Sequence, residues 1–99
     1  MDFEKMNYFA CLLDFYGAML TKKQYATAKM FLYENLGITE ISEFNKTTKQ
    51  ATNDLLKRTQ SLLEAYEKKL RVYEKYSKSI SLLNSQPENK EKFIKIWEQ

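Results

Sequence analysis

Residues 47–58 read TTKQATNDLLKR, and this stretch decides which fold the chain can adopt. Two hydroxyl residues come first, which is typical of a helix N-terminus because their side chains accept hydrogen bonds from first-turn amides. A basic residue, two amides and a basic pair follow, with no Gly or Pro between them. The stretch therefore predicts a helix that begins at Thr47 or Thr48 and carries a polar, basic face. Such a face suits the second helix of a helix-turn-helix, which lies in the major groove of DNA.

Six side chains on this helix are candidates for nucleic-acid contact. Gln and Asn can bond adenine in a bidentate manner, Lys can reach guanine or phosphate, and a basic pair can clamp a phosphate. The candidates are Thr48, Lys49, Gln50, Asn53, Lys57 and Arg58. A purely structural helix explains the same residues, because Thr and Asn favour helix starts and Lys and Gln fill any solvated face.

The rest of the chain is predicted to be all-α as well. Only two Gly and one Pro occur in 99 residues, and no segment alternates apolar and polar residues as a strand would. Thr21 and Gln24 form the two ends of a capping box that starts a second helix. Gly37 is expected to end that helix in the left-handed conformation. A short third helix is expected to follow at residues 39–44.

Residues 47–84 predict one unbroken helix, ~50 Å long at ~1.5 Å per residue. Large apolar side chains recur along it at heptad spacing, which is typical of a seam that packs on a partner helix of the same chain or of a second copy. The residues expected to form a homodimer interface are Leu56, Leu63, Tyr66, Leu70 and Tyr73. The chain is thus predicted to be one domain: a helical bundle (1–46), the long helix (47–84) and a short terminal helix (85–99).

Composition narrows the classes of function. The formal net charge is +3, and 14 of the 16 basic residues are Lys, which suits phosphate contacts better than bidentate base recognition. The chain has no His, which excludes His-dependent catalysis and His-ligated metal sites. Cys11 is the only cysteine and cannot form an intrachain disulfide, which favours a reducing cytoplasm. No apolar run approaches the ~20 residues of a membrane span. We therefore expect no catalytic residue, no metal, no cofactor and no membrane insertion.

Several motifs, taken with their spacing, resemble the YlxM-like family of small bacterial helix-turn-helix proteins. The motifs are Met-Asn-Tyr at 6–8, Asp-Phe-Tyr at 14–16, Leu-Thr-x-x-Gln at 20–24, Glu-Ile-x-Glu at 40–43, Gln-Ala-x-x-Asp-x-Leu-Lys-Arg-Thr at 50–59 and Tyr-Glu-x-Lys-Leu at 66–70. The resemblance covers roughly residues 5–83. It implies an all-helical, winged-helix-like or sigma region four-like bundle that self-associates and has no enzymatic activity.

The resemblance also implies a cellular setting and partners. The family is tied to the signal recognition particle pathway, so the implied partners are the particle's GTPase or its RNA, with DNA as an alternative. Several residues depart from the family pattern. Among them, Thr47 and Thr52 stand where Val is expected, and Lys49 stands where Arg is expected. We expect Thr at two core positions to loosen the motif, and Lys to remove the fork that reads guanine.

The sequence therefore predicts a non-enzymatic, cytoplasmic regulatory or accessory protein of co-translational targeting. Its helix-turn-helix is expected to contact RNA or DNA phosphates. A transcriptional regulator that binds DNA sequence-specifically is the first alternative. A protein-protein scaffold with a vestigial helix-turn-helix is the second.

Overall fold

The computed structural model describes residues 1–85 and 96–98, and every regular element in those ranges is helical. The elements are α1 (Phe3–Tyr16), a 3₁₀ turn (Gly17–Met19), α2 (Lys22–Leu32), α3 (Ile38–Phe44), α4 (Lys49–Leu70) and α5 (Val72–Ser85). The all-α prediction is confirmed. Of the predicted terminal helix, residues 96–98 are helical and Trp97 remains 43% exposed. Residues 86–95 and 99, which belong to the same prediction, lie outside the described residues.

Local signals explain where α2 begins and ends. The predicted capping box is present: the Gln24 amide donates to Thr21 Oγ1 at 3.1 Å, and the Thr21 amide donates to Gln24 Oε1 at 3.0 Å. The prediction for Gly37 was wrong, because this residue has φ −78° and stands instead at the N-cap of α3. The left-handed residue after α2 is Asn35, with φ 56°. Asn tolerates that conformation because its short polar side chain can hydrogen-bond locally.

Helix α4 lies at the centre of the fold and packs against α1, α2 and α3. The main hydrophobic core joins three of these helices. Its buried members are Phe9, Leu12, Leu13, Tyr16, Ala28, Leu32 and Leu63. Each fully buried large apolar side chain contributes about 1.5–3 kcal/mol to folding. Because α4 contacts three other helices, its N-terminal turns are held in a fixed position relative to the bundle.

The prediction of one unbroken helix over residues 47–84 was wrong. Helix α4 ends at Leu70, and Arg71 adopts a left-handed conformation with φ 54° before α5 begins. Left-handed backbone costs a non-glycine residue roughly 1–2 kcal/mol, so other contacts must stabilise the break. Two aromatic pairs between α1 and α5 help to hold α5 in this orientation. Tyr8 packs edge-on against Tyr73 with ring centroids 5.1 Å apart, and Phe15 packs edge-on against Tyr76 with ring centroids 5.6 Å apart.

A polar cluster around Glu67 caps the N-terminus of α5. The Glu67 carboxylate accepts hydrogen bonds from the Tyr73 amide (3.0 Å), the Glu74 amide (3.1 Å) and the Tyr16 hydroxyl (2.7 Å). The Val72 amide in turn donates to the Tyr16 hydroxyl at 3.0 Å. Burial and the hydrogen bond to Glu67 raise the pKa of Tyr16 to about 12. The first turn of α5 therefore has partners for amides that no residue of its own helix can satisfy.

The five residues predicted to form a dimer seam have different surroundings. Leu63 is fully buried and Leu56 is 5% exposed, so both side chains are already packed within one chain. Tyr66 and Tyr73 are partly buried and pack against the main core. Leu70 is 47% exposed and is the only one of the five with a large free apolar surface. Leu70 is the last residue of α4 and stands directly before the left-handed Arg71.

Candidate nucleic-acid interface

Helices α3 and α4 form the helix-turn-helix, and residues 45–48 form its turn. Three backbone hydrogen bonds hold the turn. The Asn45 amide donates to the Ile41 carbonyl at 2.9 Å, the Lys46 amide to the Glu43 carbonyl at 3.2 Å and the Thr47 amide to the Ser42 carbonyl at 3.0 Å. Lys46 is left-handed, with φ 54°. Thr48 then caps α4, because its Oγ1 accepts a hydrogen bond from the Ala51 amide at 3.0 Å. The tight turn fixes the direction in which α4 leaves the motif.

All six predicted contact residues are exposed to solvent. Thr48 uses its hydroxyl for the helix cap. Within residues 1–85 and 96–98, the other five side chains form no hydrogen bond with the protein, and no carboxylate lies within ion-pair distance of the three basic ones. The face is therefore free to bind a ligand.

Helix geometry divides the five candidates that follow the N-cap Thr48 into two groups. An α-helix turns by ~100° per residue, so Lys49, Gln50, Asn53 and Lys57 fall within an arc of about 100°. Arg58 lies roughly 80° beyond that arc. The first group forms the outer face of α4, whereas Arg58 turns towards the start of α2. We call the six residues together with Lys23 the basic face.

Lys23 is a residue of this face that the sequence did not identify. It lines a cavity of about 280 Å³ together with Arg58 and Asn45. Lys57 and Arg58 also line a neighbouring groove of about 460 Å³ with Gln24 from α2. The first turn of α2 thus faces the basic pair of α4 across a concave surface. Asp54 lines the smaller cavity as well and is an acidic group close to the basic face.

The two Thr residues predicted to loosen the motif behave differently. Thr52 is 2% exposed, and its Oγ1 has no hydrogen-bond partner among the described residues. Removing a hydroxyl from water without a partner costs about 1–3 kcal/mol, so we expect Thr at this position to be less stable than the Val of the same shape. Thr47 is exposed, so its predicted packing role was wrong. Asn45 helps to join the motif to α2, since its Nδ2 donates to Thr27 Oγ1 at 3.5 Å.

Other kinds of site find little support in the part of the chain that the structure describes. None of its helices is long and apolar enough to cross a membrane. No group of three or more Cys, Asp or Glu in residues 1–85 and 96–98 is arranged to hold a metal ion. Burial raises the pKa of the Cys11 thiol, and Asp14 raises it further, so the reactive thiolate is disfavoured.

The fold and the exposed face of α4 define a helix-turn-helix protein. A family model described as "Putative helix-turn-helix protein, YlxM / p13 like" matches residues 3–98. The chain belongs to this family, UPF0122, which confirms the resemblance found in its sequence motifs.

Curated relatives agree with this assignment. A UPF0122 protein of Clostridium acetobutylicum is 41% identical over 76 residues, which are 77% of this chain and 66% of that protein. A UPF0122 protein of Oceanobacillus iheyensis is 40% identical over 79 residues, or 80% and 72% of the two chains. One from Streptococcus agalactiae is 40% identical over 76 residues, or 77% and 69%. The matched segment thus spans 60% to 72% of the lengths of the first four relatives.

Proposed function

We propose that this protein is a non-enzymatic regulatory or accessory protein whose basic face binds the phosphates of a nucleic acid. One observation carries the proposal: Lys49, Lys57 and Arg58 are exposed and lack ion-pair partners among the described residues. Lys23 of α2 lines a cavity together with Arg58 and so adds a fourth basic side chain. Basic side chains bind nucleic acids by neutralising phosphates and releasing counterions. A fixed, concave arrangement of such side chains adds a preferred orientation to that attraction.

Phosphate contact fits the face better than base readout. Lys49 and Lys57 carry point charges without the planar fork that recognises guanine in a bidentate manner. One group opposes phosphate contact: Asp54 places a negative charge near the smaller cavity, which weakens the attraction for phosphate at that edge. The unsatisfied Thr52 hydroxyl lowers the stability of the motif that would have to hold α4 in a groove.

As the cellular setting we propose the cytoplasm and the signal recognition particle pathway, with the particle's RNA or its GTPase as the partner. This setting is supported by the family resemblance of the motifs at residues 6–8, 14–16 and 50–59. Co-purification from native cells tests it directly: the RNA and the GTPase should be recovered with the tagged protein. Recovery of neither one would contradict the setting while leaving phosphate binding open to separate measurement.

A transcriptional regulator is the second candidate, because Gln50 and Asn53 lie exposed on the outer face of α4. Both amides can bond adenine edges in the major groove. A regulator of this kind should lose affinity for one duplex sequence on Gln50→Ala, with little change on random DNA. Equal small losses on both duplexes would exclude it in favour of phosphate contact.

A salt titration of binding tests the proposed function. We expect RNA or DNA affinity to fall steeply with salt, and the triple variant Lys49→Ala, Lys57→Ala, Arg58→Ala to lose affinity. Each phosphate contact contributes about 0.7–0.9 to the slope of log affinity against log salt, so the slope should fall by about 2 to 3. The matched control is Lys68→Ala with Lys69→Ala, which removes exposed charges from the other end of α4. No binding of either nucleic acid at low salt would refute the proposal and leave the scaffold as the better interpretation.

A further inference from the structure

A second concave site lies beside the first turn of α2, between the end of α1, the 3₁₀ turn and α2. Its volume is about 460 Å³, within the range of roughly 300–1,000 Å³ that small-molecule sites occupy. Leu13, Ala18 and Leu20 give it an apolar lining. Lys22 lines this cavity, whereas the next residue, Lys23, lines the cavity of the basic face. The two sites therefore lie on either side of the first turn of α2.

Two tyrosine rings form aromatic walls in this cavity. Tyr25 is 38% exposed and Tyr33 is 39% exposed, so each presents ring surface to solvent. Gly17 allows the Tyr25 ring to lie close to the 3₁₀ turn, because a Cβ at this position would stand 2.8 Å from Tyr25 Cε2. Exposed rings beside an apolar lining are platforms on which a nucleobase can stack.

The cavity also holds a carboxylate with a defined position. The Tyr33 hydroxyl donates a hydrogen bond to Asp14 Oδ1, which joins α2 to α1. Burial and this hydrogen bond raise the pKa of Tyr33, so loss of the hydroxyl proton beside Asp14 is disfavoured. No other donor from the described residues bonds the Asp14 carboxylate, and that residue is exposed. The free lone pairs of Asp14 can therefore accept hydrogen bonds from a ligand.

We propose that this cavity binds an unpaired guanine nucleotide of the nucleic acid that the basic face contacts. The inference rests on the proposed function and names its partner more closely, as a nucleic acid with a single-stranded or looped guanine. The base stacks on Tyr25 and Tyr33, its N1–H and N2–H groups donate to Asp14, and its phosphate lies near Lys22. In a duplex this edge of guanine is already paired, so the site selects unpaired bases.

The chemistry of the donor edge singles out guanine. Guanine presents two adjacent N–H groups, both of which a carboxylate can accept. Adenine and cytosine place an acceptor beside their amino group, and that acceptor would face the Asp14 oxygens. A cationic side chain of a protein would also suit Asp14. Lys22 in the same cavity opposes such a cation, however, and attracts a phosphate instead.

Nuclear magnetic resonance titrations of the full chain with free nucleotides test the proposal. We expect guanosine monophosphate to shift the amides of Gly17, Ala18 and Tyr25. It should bind about tenfold or more tightly than inosine monophosphate, which lacks the N2 amino group, because a hydrogen bond to a charged group is lost. Adenosine monophosphate should bind more weakly still. Equal affinities for the three nucleotides, or shifts outside the cavity, would overturn the proposal.

Variants separate this site from the basic face. Asp14→Asn should abolish the preference for guanosine monophosphate while keeping an oxygen that accepts from Tyr33. Glu43→Gln removes the same charge from α3, away from the cavity, and should change nothing. The Lys49, Lys57 and Arg58 triple Ala variant should bind guanosine monophosphate as the wild type does. A wild-type chain that binds guanosine monophosphate but binds no RNA or DNA at low salt contradicts the proposed function alone. The reverse result, or tighter binding of arginine amide than of the nucleotide, overturns the cavity assignment alone.

Discussion

Glu67→Ala should loosen α5 from the rest of the bundle. In the wild type this one carboxylate accepts hydrogen bonds from the Tyr73 and Glu74 amides and from the Tyr16 hydroxyl. Alanine removes both acceptor oxygens and therefore all three hydrogen bonds. It also leaves the first turn of α5 without its cap, while Arg71 still carries the cost of its left-handed backbone.

The size of the effect follows from what each donor meets after the substitution. The largest loss of stability comes from the Tyr16 hydroxyl. Tyr16 is only 2% exposed, so after the substitution its hydroxyl is a buried donor without an acceptor, which costs about 1–3 kcal/mol. Loss of an N-cap costs about 1 kcal/mol. Glu67 itself is only partly buried, so water can replace some of its contacts to the Tyr73 and Glu74 amides. We therefore expect the free energy of unfolding to fall by about 2–4 kcal/mol.

Urea denaturation followed by circular dichroism measures the loss, and hydrogen exchange locates it. The amides of Val72, Tyr73 and Glu74 should exchange faster in the variant. Glu64→Ala is the matched control, because it removes the same charge from α4 at an exposed position and should change stability by under about 0.5 kcal/mol. The reasoning is refuted if Glu67→Ala is no more destabilising than Glu64→Ala, or if the three amides keep their protection.

Three further predictions concern stability. Thr52→Val should raise the free energy of unfolding in urea by about 1–2 kcal/mol, because it replaces an unpartnered buried hydroxyl by a methyl group; a loss would show that the hydroxyl is satisfied in solution. Arg71→Gly should raise the melting temperature, with a gain of about 1 kcal/mol from relief of the left-handed backbone, and a lower melting temperature would argue against the break. The pKa of Tyr16 is raised from 10.0 to about 12, so its stabilising contribution is complete below pH 10 and is lost as the pH rises towards 12. Unfolding free energies measured from pH 9 to 12 should therefore decline less in Tyr16→Phe than in the wild type, and parallel curves would contradict the assignment.

Short-range features of the fold could be predicted from the sequence. The capping box at Thr21 and Gln24 involves residues three apart, and the helix start at Thr48 depends on its own first turn. The absence of Gly and Pro from residues 47–58 also correctly predicted a helix there. Buried Thr52 was expected because the motif needs an apolar residue there. These features depend on side chains that lie close together along the chain.

Features that depend on contacts between residues far apart in the sequence could not be predicted. The break at Arg71 depends on Tyr16, which lies 51 residues before Glu67 and gives no local signal in residues 47–84. Leu56 and Leu63, which lie at heptad spacing, pack within the chain's own bundle, one of the two kinds of partner that the spacing predicts, and the homodimer stays a prediction. Lys23 was missed from the basic face for the same reason, since only the packing of α2 on α4 brings it near Arg58.

The proposed function requires that the basic face, which includes Lys23 of α2, binds nucleic-acid phosphates. Chemical-shift mapping of the labelled full chain, titrated at low salt with an RNA hairpin that carries a single-stranded loop, tests it most directly. We expect the largest shifts on residues 48–58 and on Lys23, and we expect these shifts to diminish as salt is added. Shifts confined to α5, or no shifts at any concentration of RNA or of a duplex DNA, would contradict it.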